Sequence, residues 1–405
     1  MPTRQYVRSA FETQNRYRAA PVKPWGEGRR LKRSAEDADL SVDRNESSKG
    51  LKQLSVVMTD KIEKSLTPEL ADEYFSSHHV DECFSNNLNK TINELTTFIV
   101  AQTSLVGIRV QITPYGSFAS GTASKLDSSV DLLLTMAGGV CDTSDEDALA
   151  GALLGGLNEF PKFRNDGVSS DADKRIRCRM IDASMPDFLI KVTKASSFSV
   201  VSRHLIETRF IRSYSCCGPF LAPLVCLIRH WAKSHVPVGS GVISGYIWSL
   251  LCINFLQYKG ILPNLHMYRR DGCQQLKYGP RARDSFTLVS SSDIAARNGM
   301  TNNGDGSLGV LYVEFFRWLA DKLEKSESSS VMLSVSEKEA SNRRVSGGGN
   351  GLIIVNPFDC SDNIIGSVEP ERLSNIITTI EREARQCWFN AIKDVCGDAT
   401  DPRRR

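Results

Sequence analysis

The sequence predicts an α+β protein in which a small mixed-sheet unit is followed by a larger helical unit. Two observations carry this. Between residues 80 and 215, short apolar runs with strand character alternate with helical stretches. Beyond 216, long apolar stripes at helical spacing follow one another. A third observation bounds the class: residues 1–50 are polar and charged without apolar periodicity, and read as a disordered basic arm.

Taken in order, Thr59–Phe75 and Val80–Gln102 carry apolar residues at helical spacing, the second marked by Leu88, Ile92, Leu95 and Ile99. The first, within 51–79, is expected to pack on the helical unit. Ile108–Ile112 alternates as a strand, and Val130–Thr135 reads as a short strand buried on both faces. Asp145–Phe160 predicts a helix with Leu149, Leu153, Leu154 and Leu157 on one side. Arg175–Ile181 and Phe188–Val192 predict strands, with a third candidate at Phe198–Val201. Helices are predicted at Phe220–Ser234, Gly241–Tyr258, Leu308–Glu324 and Glu371–Val395. The Leu373, Ile376, Ile377, Ile380, Ala384, Trp388 stripe of the last is core. Near 323–350 lies a Ser/Glu/Gly-rich insertion, EKSESSSVMLSVSEKEASNRRVSGGGNG, expected as a mobile loop. The boundaries expected are therefore an arm at 1–50, a helix at 51–79, a sheet unit at 80–215 and a helical unit at 216–400.

Composition excludes several classes. A net charge of +3 is too small to identify a nucleic-acid partner, but charge is unevenly placed. Arg4, Arg8, Arg16, Arg18 and Lys23 crowd the arm with Glu12 as its sole acid before Glu27, and Arg403–Arg405 end the chain. The eleven cysteines have no C-x-x-C pair or metal-ligand spacing, and read as reduced thiols in a cytosolic or organellar interior. No apolar run is long enough to span a bilayer, so no membrane partner is expected. The Arg-rich, acid-poor N-terminus reads as a mitochondrial address, with a cytoplasmic solvated tail as the alternative.

The stretch YGSFASGTASKLDSSVDLLL, Tyr115–Leu134, holds the chemistry. A Gly-Ser turn after a strand sets backbone N–H groups and a hydroxyl against an anion, and glycine lets a phosphate approach. Downstream stand LVCLIRHWAKSH (Leu224–His235), GVISGYIWSLLCINFLQYKGILPNL (Gly241–Leu265), GVLYVEFFRWLA (Gly309–Ala320) and IIVNPFDCSDNIIGSV (Ile353–Val368). In that order, over about residues 100–390, these segments resemble the noncanonical poly(A) polymerase and terminal uridylyltransferase family of the nucleotidyltransferase superfamily. The compact size and loop style resemble the small uridylyltransferases of kinetoplastid protozoa.

The resemblance implies a bilobal nucleotidyltransferase fold, with a mixed-sheet palm facing a helical central domain. It implies Mg²⁺ (or Mn²⁺) and a nucleoside triphosphate as cofactors if the site is active, and none if it is not. Family members attack an α-phosphate with an RNA 3′-hydroxyl using two ions bridged by clustered carboxylates. Gly116, Ser117, Arg229, Lys233 and Ser244 are then expected at the triphosphate and Tyr246 at the base.

The carboxylates depart from the family pattern. Asp131 fills the second position of the Asp-x-Asp strand, but Ser129 fills the first, and the intervening turn is one residue longer. Asp127 lies in that turn. For the third carboxylate, one register gives Ser196 or Ser197 and a competing one gives Asp187. Asp131, Asp127 and Asp187 are thus the candidate catalytic residues, the first two the candidate metal ligands, and Ser129, Ser196 and Ser197 the degenerate positions. The reading favours lost catalysis with retained RNA or complex binding; the alternative is an active uridylyl- or adenylyltransferase. Arg269, Arg270, Lys277, Arg281 and Arg283, interleaved with Tyr268 and Tyr278, suit RNA contact, so RNA and ribonucleoprotein subunits are the expected partners. His230 and Trp231 are expected as packing residues, and His78-His79 as surface at a helix end.

Overall fold

The computed structural model describes residues 69–104, 109–137 except 126 and 128, 153–170 except 154, 175–194, 198–236, 243–267, 275–277, 285–289, 307–328, 331–335, 352–365 and 374–386. The chain divides into units of Met1–Leu54 and Ser55–Arg405, and every described residue belongs to the second.

Helix α1 (Glu82–Ser104) precedes a five-stranded sheet of order β1-β2-β5-β4-β3. Its strands are β1 (Arg109–Pro114), β2 (Ser129–Ala137), β3 (Phe163–Ser170), β4 (Ile176–Met180) and β5 (Asp187–Lys194). β2 and β5 run parallel while the other pairs are antiparallel, so the sheet is mixed. The register sets Ser129 opposite Asp187, Asp131 opposite Leu189 and Leu133 opposite Lys191. Strand alternation then sorts the side chains. Val130, Leu132, Leu134 and Met136 join Phe188, Ile190 and Val192 in one core with Leu88, Ile92, Leu95 and Ile99 of α1. Asp131 and its odd-numbered neighbours take the opposite face.

A second core belongs to the helices. It gathers α3 (Phe198–Cys217), α4 (Leu221–His235), α5 (Gly245–Tyr258), α6 (Leu308–Ser328) and α7 (374–386), together with Leu70. Short α2 (Gly116–Ser120) sits between β1 and β2. Phe210 of α3 is fully buried and meets the rings of Tyr214, His266, Phe286 and Phe358 at centroid distances of 5.0–5.4 Å. A two-stranded ribbon, β6 (Gln275–Lys277) and β7 (Ser285–Thr287), carries Phe286. β8 (Val331–Leu333), β9 (Leu352–Asn356) and β10 (Asp359–Asn363) form a small sheet carrying Phe358 in its turn.

Three expectations need correction. Phe198–Val201 is not a strand but the start of α3. Its β-branched residues favour a strand locally, but the run continues into Ile206, Phe210 and Tyr214, whose burial at helical spacing decides the matter. The insertion is also shorter than expected: α6 runs to Ser328, and VML pairs as β8 against β9 because Leu333 and Val335 bury in the helical core. Finally, β3 was given no strand by the sequence, since FRNDGVSS has little apolar alternation. Most of the helix expected at 145–160 lies outside the described residues.

A buried hydroxyl ties this core together. Tyr214 Oη accepts from Gln257 Nε2 at 3.0 Å and from the Leu265 N–H at 3.1 Å. Tyr214→Phe strands the buried amide of Leu265 and should cost about 1–3 kcal/mol. Urea denaturation checks this through a lower midpoint at unchanged slope.

Candidate active site

The turn after β1 is built to bring the backbone onto Asp131. Gly116 has φ 71°, a left-handed conformation that favours glycine. A Cβ there would meet Asp131 Oδ2 at 2.7 Å, so only glycine permits this approach. The Gly116 N–H donates to Thr208 Oγ1 of α3 at 2.9 Å, which holds the turn against the first helix beyond the sheet. Ser117 is half-buried in the same turn.

Asp131 sits 4.0 Å from Arg175 Nη1, with its side chain 28% exposed. Burial raises its carboxyl above the usual range; Arg175 and Arg229 oppose that without cancelling it, and the charge of Asp127 adds to it. Beyond, Lys191 Nζ of β5 lies 3.2 Å from His204 Nε2, whose ring leans on Tyr115. Sequence reasoning missed Arg175, Lys191, His204 and Thr208. No motif marks them, and the β2–β5 pairing and the packing of α3 gather them.

Asp127 is engaged elsewhere. Its carboxylate accepts from Lys233 Nζ at 2.9 Å, from Arg229 Nη2 at 3.2 and 3.4 Å, and from the Ser124 N–H at 3.0 Å. Burial alone would raise this carboxyl, but Arg229, the Ser124 amide and Lys233 outweigh it and hold it below the ordinary range. Arg229 also donates from Nη1 to the Thr122 carbonyl at 3.1 Å, and its Nε lies 3.1 Å from where a Cβ of residue 245 would stand. The two cations assigned by resemblance to a triphosphate therefore grip an internal carboxylate.

The remaining expected residues are scattered. Asp187 stands opposite Ser129 in register, and its Oδ1 accepts the Met180 N–H of β4 at 3.4 Å. Burial pushes the neighbouring Cys178 thiol up to about 12, with the Asp187 charge adding to it. Asp127, Asp131 and Asp187 thus take partners on α4, on Arg175 and on β4 respectively. Ser244 caps α5, its hydroxyl accepting from the Ile247 N–H at 3.3 Å, and Tyr246 packs half-buried on the helical core. Asn356 is buried and bonds Asp362 Oδ2 at 2.9 Å across the β9–β10 hairpin. Lys277 lies in β6, but Ser196, Ser197, Arg269, Arg270, Arg281 and Arg283 lie outside the described residues, as do Tyr268, Tyr278 and the N-terminal arm. Two histidine expectations need correction. His78 is 1% exposed, not surface, because the chain folds it under α4. His230 is exposed, whereas Trp231 is buried as expected, since adjacent helix positions point some 100° apart.

No protein-family model matches the chain. Over 213 residues, 49% of the chain, it is 28% identical to poly(A) RNA polymerase cid13 of Schizosaccharomyces pombe (strain 972 / ATCC 24843). Over 202 residues, 47% of the chain, it is 25% identical to poly(A) RNA polymerase cid11 of the same yeast. The matches span 34% and 39% of those two proteins' own length. Among solved structures, the Cid1 poly(U) polymerase with Mg and 3′-dATP bound aligns with a TM-score of 0.57 at 19% identity, covering 80% of this chain and 94% of its own. Over about half its length the chain is homologous to these poly(A) RNA polymerases, and it has the nucleotidyltransferase fold of the Cid1 poly(U) polymerase. A further structural neighbour is mtPAP in complex with GTP, with a TM-score of 0.58 at 16% identity over 82% of this chain and 70% of that one.

Against these relatives, the residues present do not fit a pair of divalent ions. Two such ions need several carboxylates facing one point. Here Asp131 has a guanidinium beside it, Asp127 is neutralised by two cations of α4, and Asp187 accepts a strand amide.

Proposed function

We propose that this chain is an RNA-binding member of the terminal nucleotidyltransferases in which nucleotide addition is lost, working as a subunit of a ribonucleoprotein assembly. The observation that carries this reading is the Asp127–Arg229–Lys233 cluster. One carboxylate cannot both serve a metal pair and satisfy the two cations that would otherwise hold a triphosphate. What supports RNA as the partner is homology to RNA polymerases of the poly(A) and poly(U) type, together with the basic, Tyr-interleaved segment at 268–283. Binding through Lys and Arg to phosphates should weaken steeply with salt.

Labelled single-stranded RNA tests both halves. In fluorescence anisotropy the protein should bind it, with affinity falling as salt rises. In primer extension with UTP or ATP and Mg²⁺ or Mn²⁺, the same preparation should add no nucleotides. Sustained addition that Asp131→Ala abolishes would overturn the proposal and favour an active transferase using Asp127, Asp131 and Asp187.

A further inference from the structure

A second group of side chains stands apart from Asp131, where the segment before α1 meets α4. Residues 69–73 are helical and continue into a π turn, Tyr74–His78, closed by the His79 N–H donating to the Tyr74 carbonyl at 2.7 Å. That widened turn has a geometric consequence. In an α-helix, residues five apart lie about 140° apart around the axis. In a π turn they stack, and Glu73 and His78 come together, with Glu73 Oε1 3.6 Å from His78 Nε2. Such turns recur at functional sites.

His230 of α4 completes the group. Its ring lies 4.9 Å from that of His78, centroid to centroid, and the donor atoms of Glu73, His78 and His230 all fall within 4.8 Å of one another. His78 is 1% exposed, yet its Nε2 makes no hydrogen bond. Its other nitrogen, Nδ1, lies 2.8 Å from Ser124 Oγ, and its carbonyl accepts the Lys125 N–H at 3.0 Å. In the tautomer whose Nδ1–H donates to Ser124 Oγ, Nε2 is left with a lone pair for an ion. An outer partner that fixes the tautomer and the ring plane is the usual support of a metal-binding histidine.

We propose that Glu73, His78 and His230 bind one Zn²⁺ ion. Two imidazoles and a carboxylate make a borderline N/O donor set that suits zinc and disfavours Mg²⁺. Ligands about 2.0–2.1 Å from a tetrahedral ion stand roughly 3.4 Å apart. Glu73 and His78 already have that separation, and the exposed His230 and Glu73 side chains can swing the rest of the way. The fourth position opens into a cavity of about 200 Å³ shared with Ser124, Asp127 and Lys233. The positive charges of Arg229 and Lys233 in that cavity are already answered by Asp127. A bound ion would pin the segment before the palm to α4 of the helical domain, across the loop that carries Asp127. The site is independent of whether nucleotide addition survives.

The test is zinc content and affinity of the untagged, full-length protein. After dialysis against Zn²⁺ and removal of free metal, atomic emission should give one zinc per chain, and a chromophoric chelator in competition should report its affinity. His230→Ala and Glu73→Gln, both at exposed positions, should each weaken binding about tenfold or more. His79→Ala should leave it unchanged. Zinc should also raise the melting temperature of the parent protein but not of His230→Ala. A parent protein that retains no zinc, or variants that retain it as tightly as the parent, would overturn the proposal and leave Glu73 and His78 as a side-chain contact within the π turn.

Discussion

Asp127→Ala should destabilise the protein by about 3 kcal/mol, the low end of the cost of removing one partner from a buried ion pair. The carboxylate is 11% exposed and Arg229 17%, so the guanidinium would be left in poor contact with water, although it keeps the Thr122 carbonyl. Lys233 is 57% exposed and loses little. The pH dependence has a definite sign. Asp127 is held below its ordinary value when folded, so its contribution is present above the unfolded carboxylate pKa and lost as pH falls through the folded one. Asp131 acts in the opposite sense: its carboxyl is raised, so its contribution is present at low pH and lost as pH rises through the folded value. Acid denaturation of parent and Asp127→Ala should therefore converge toward low pH. The variant also frees two cations, and inorganic triphosphate should bind it about tenfold more tightly than the parent, the equivalent of one charge-assisted hydrogen bond regained. Calorimetric titration reads this directly, and equal affinities would mean that Asp127 does not compete with an anion.

Phe210→Ala should have a comparable or larger effect, about 3–5 kcal/mol, because a fully buried aromatic is replaced by a cavity. The four rings around it come from α3, the segment after α5, β7 and the β9–β10 turn. These elements lie far apart in sequence, and Phe210 is the side chain on which all four rings converge. A cavity at their junction should also loosen the small sheet, so amide exchange in β9 should speed up more than in β2 of the palm. Uniform acceleration across both would show instead that the two cores unfold as one.

Much of this fold was legible because its determinants are local. The VDLLL and FLIKV runs can only be buried strands, and the stripes of α4, α5 and α6 place their apolar faces without tertiary knowledge. The Gly-Ser turn was legible for a similar reason, since close approach at Gly116 demands one residue type. What escaped was set by long-range contact. VML forms a strand only because β9 offers an edge to it. The partners of Asp127 lie 102 and 106 residues away, and nothing in the turn's own sequence announces its pairing with two cations. Likewise His78 became a buried residue through a π turn, which sequence periodicity does not reveal.

The close approach of Arg229 to position 245 links two positions that look independent along the chain. A side chain at 245 has to displace the guanidinium that pairs with Asp127 by a few tenths of an ångström. Gly245→Ser is therefore a different experiment before and after Arg229→Lys. The two exchanges form an ordered path, lysine first.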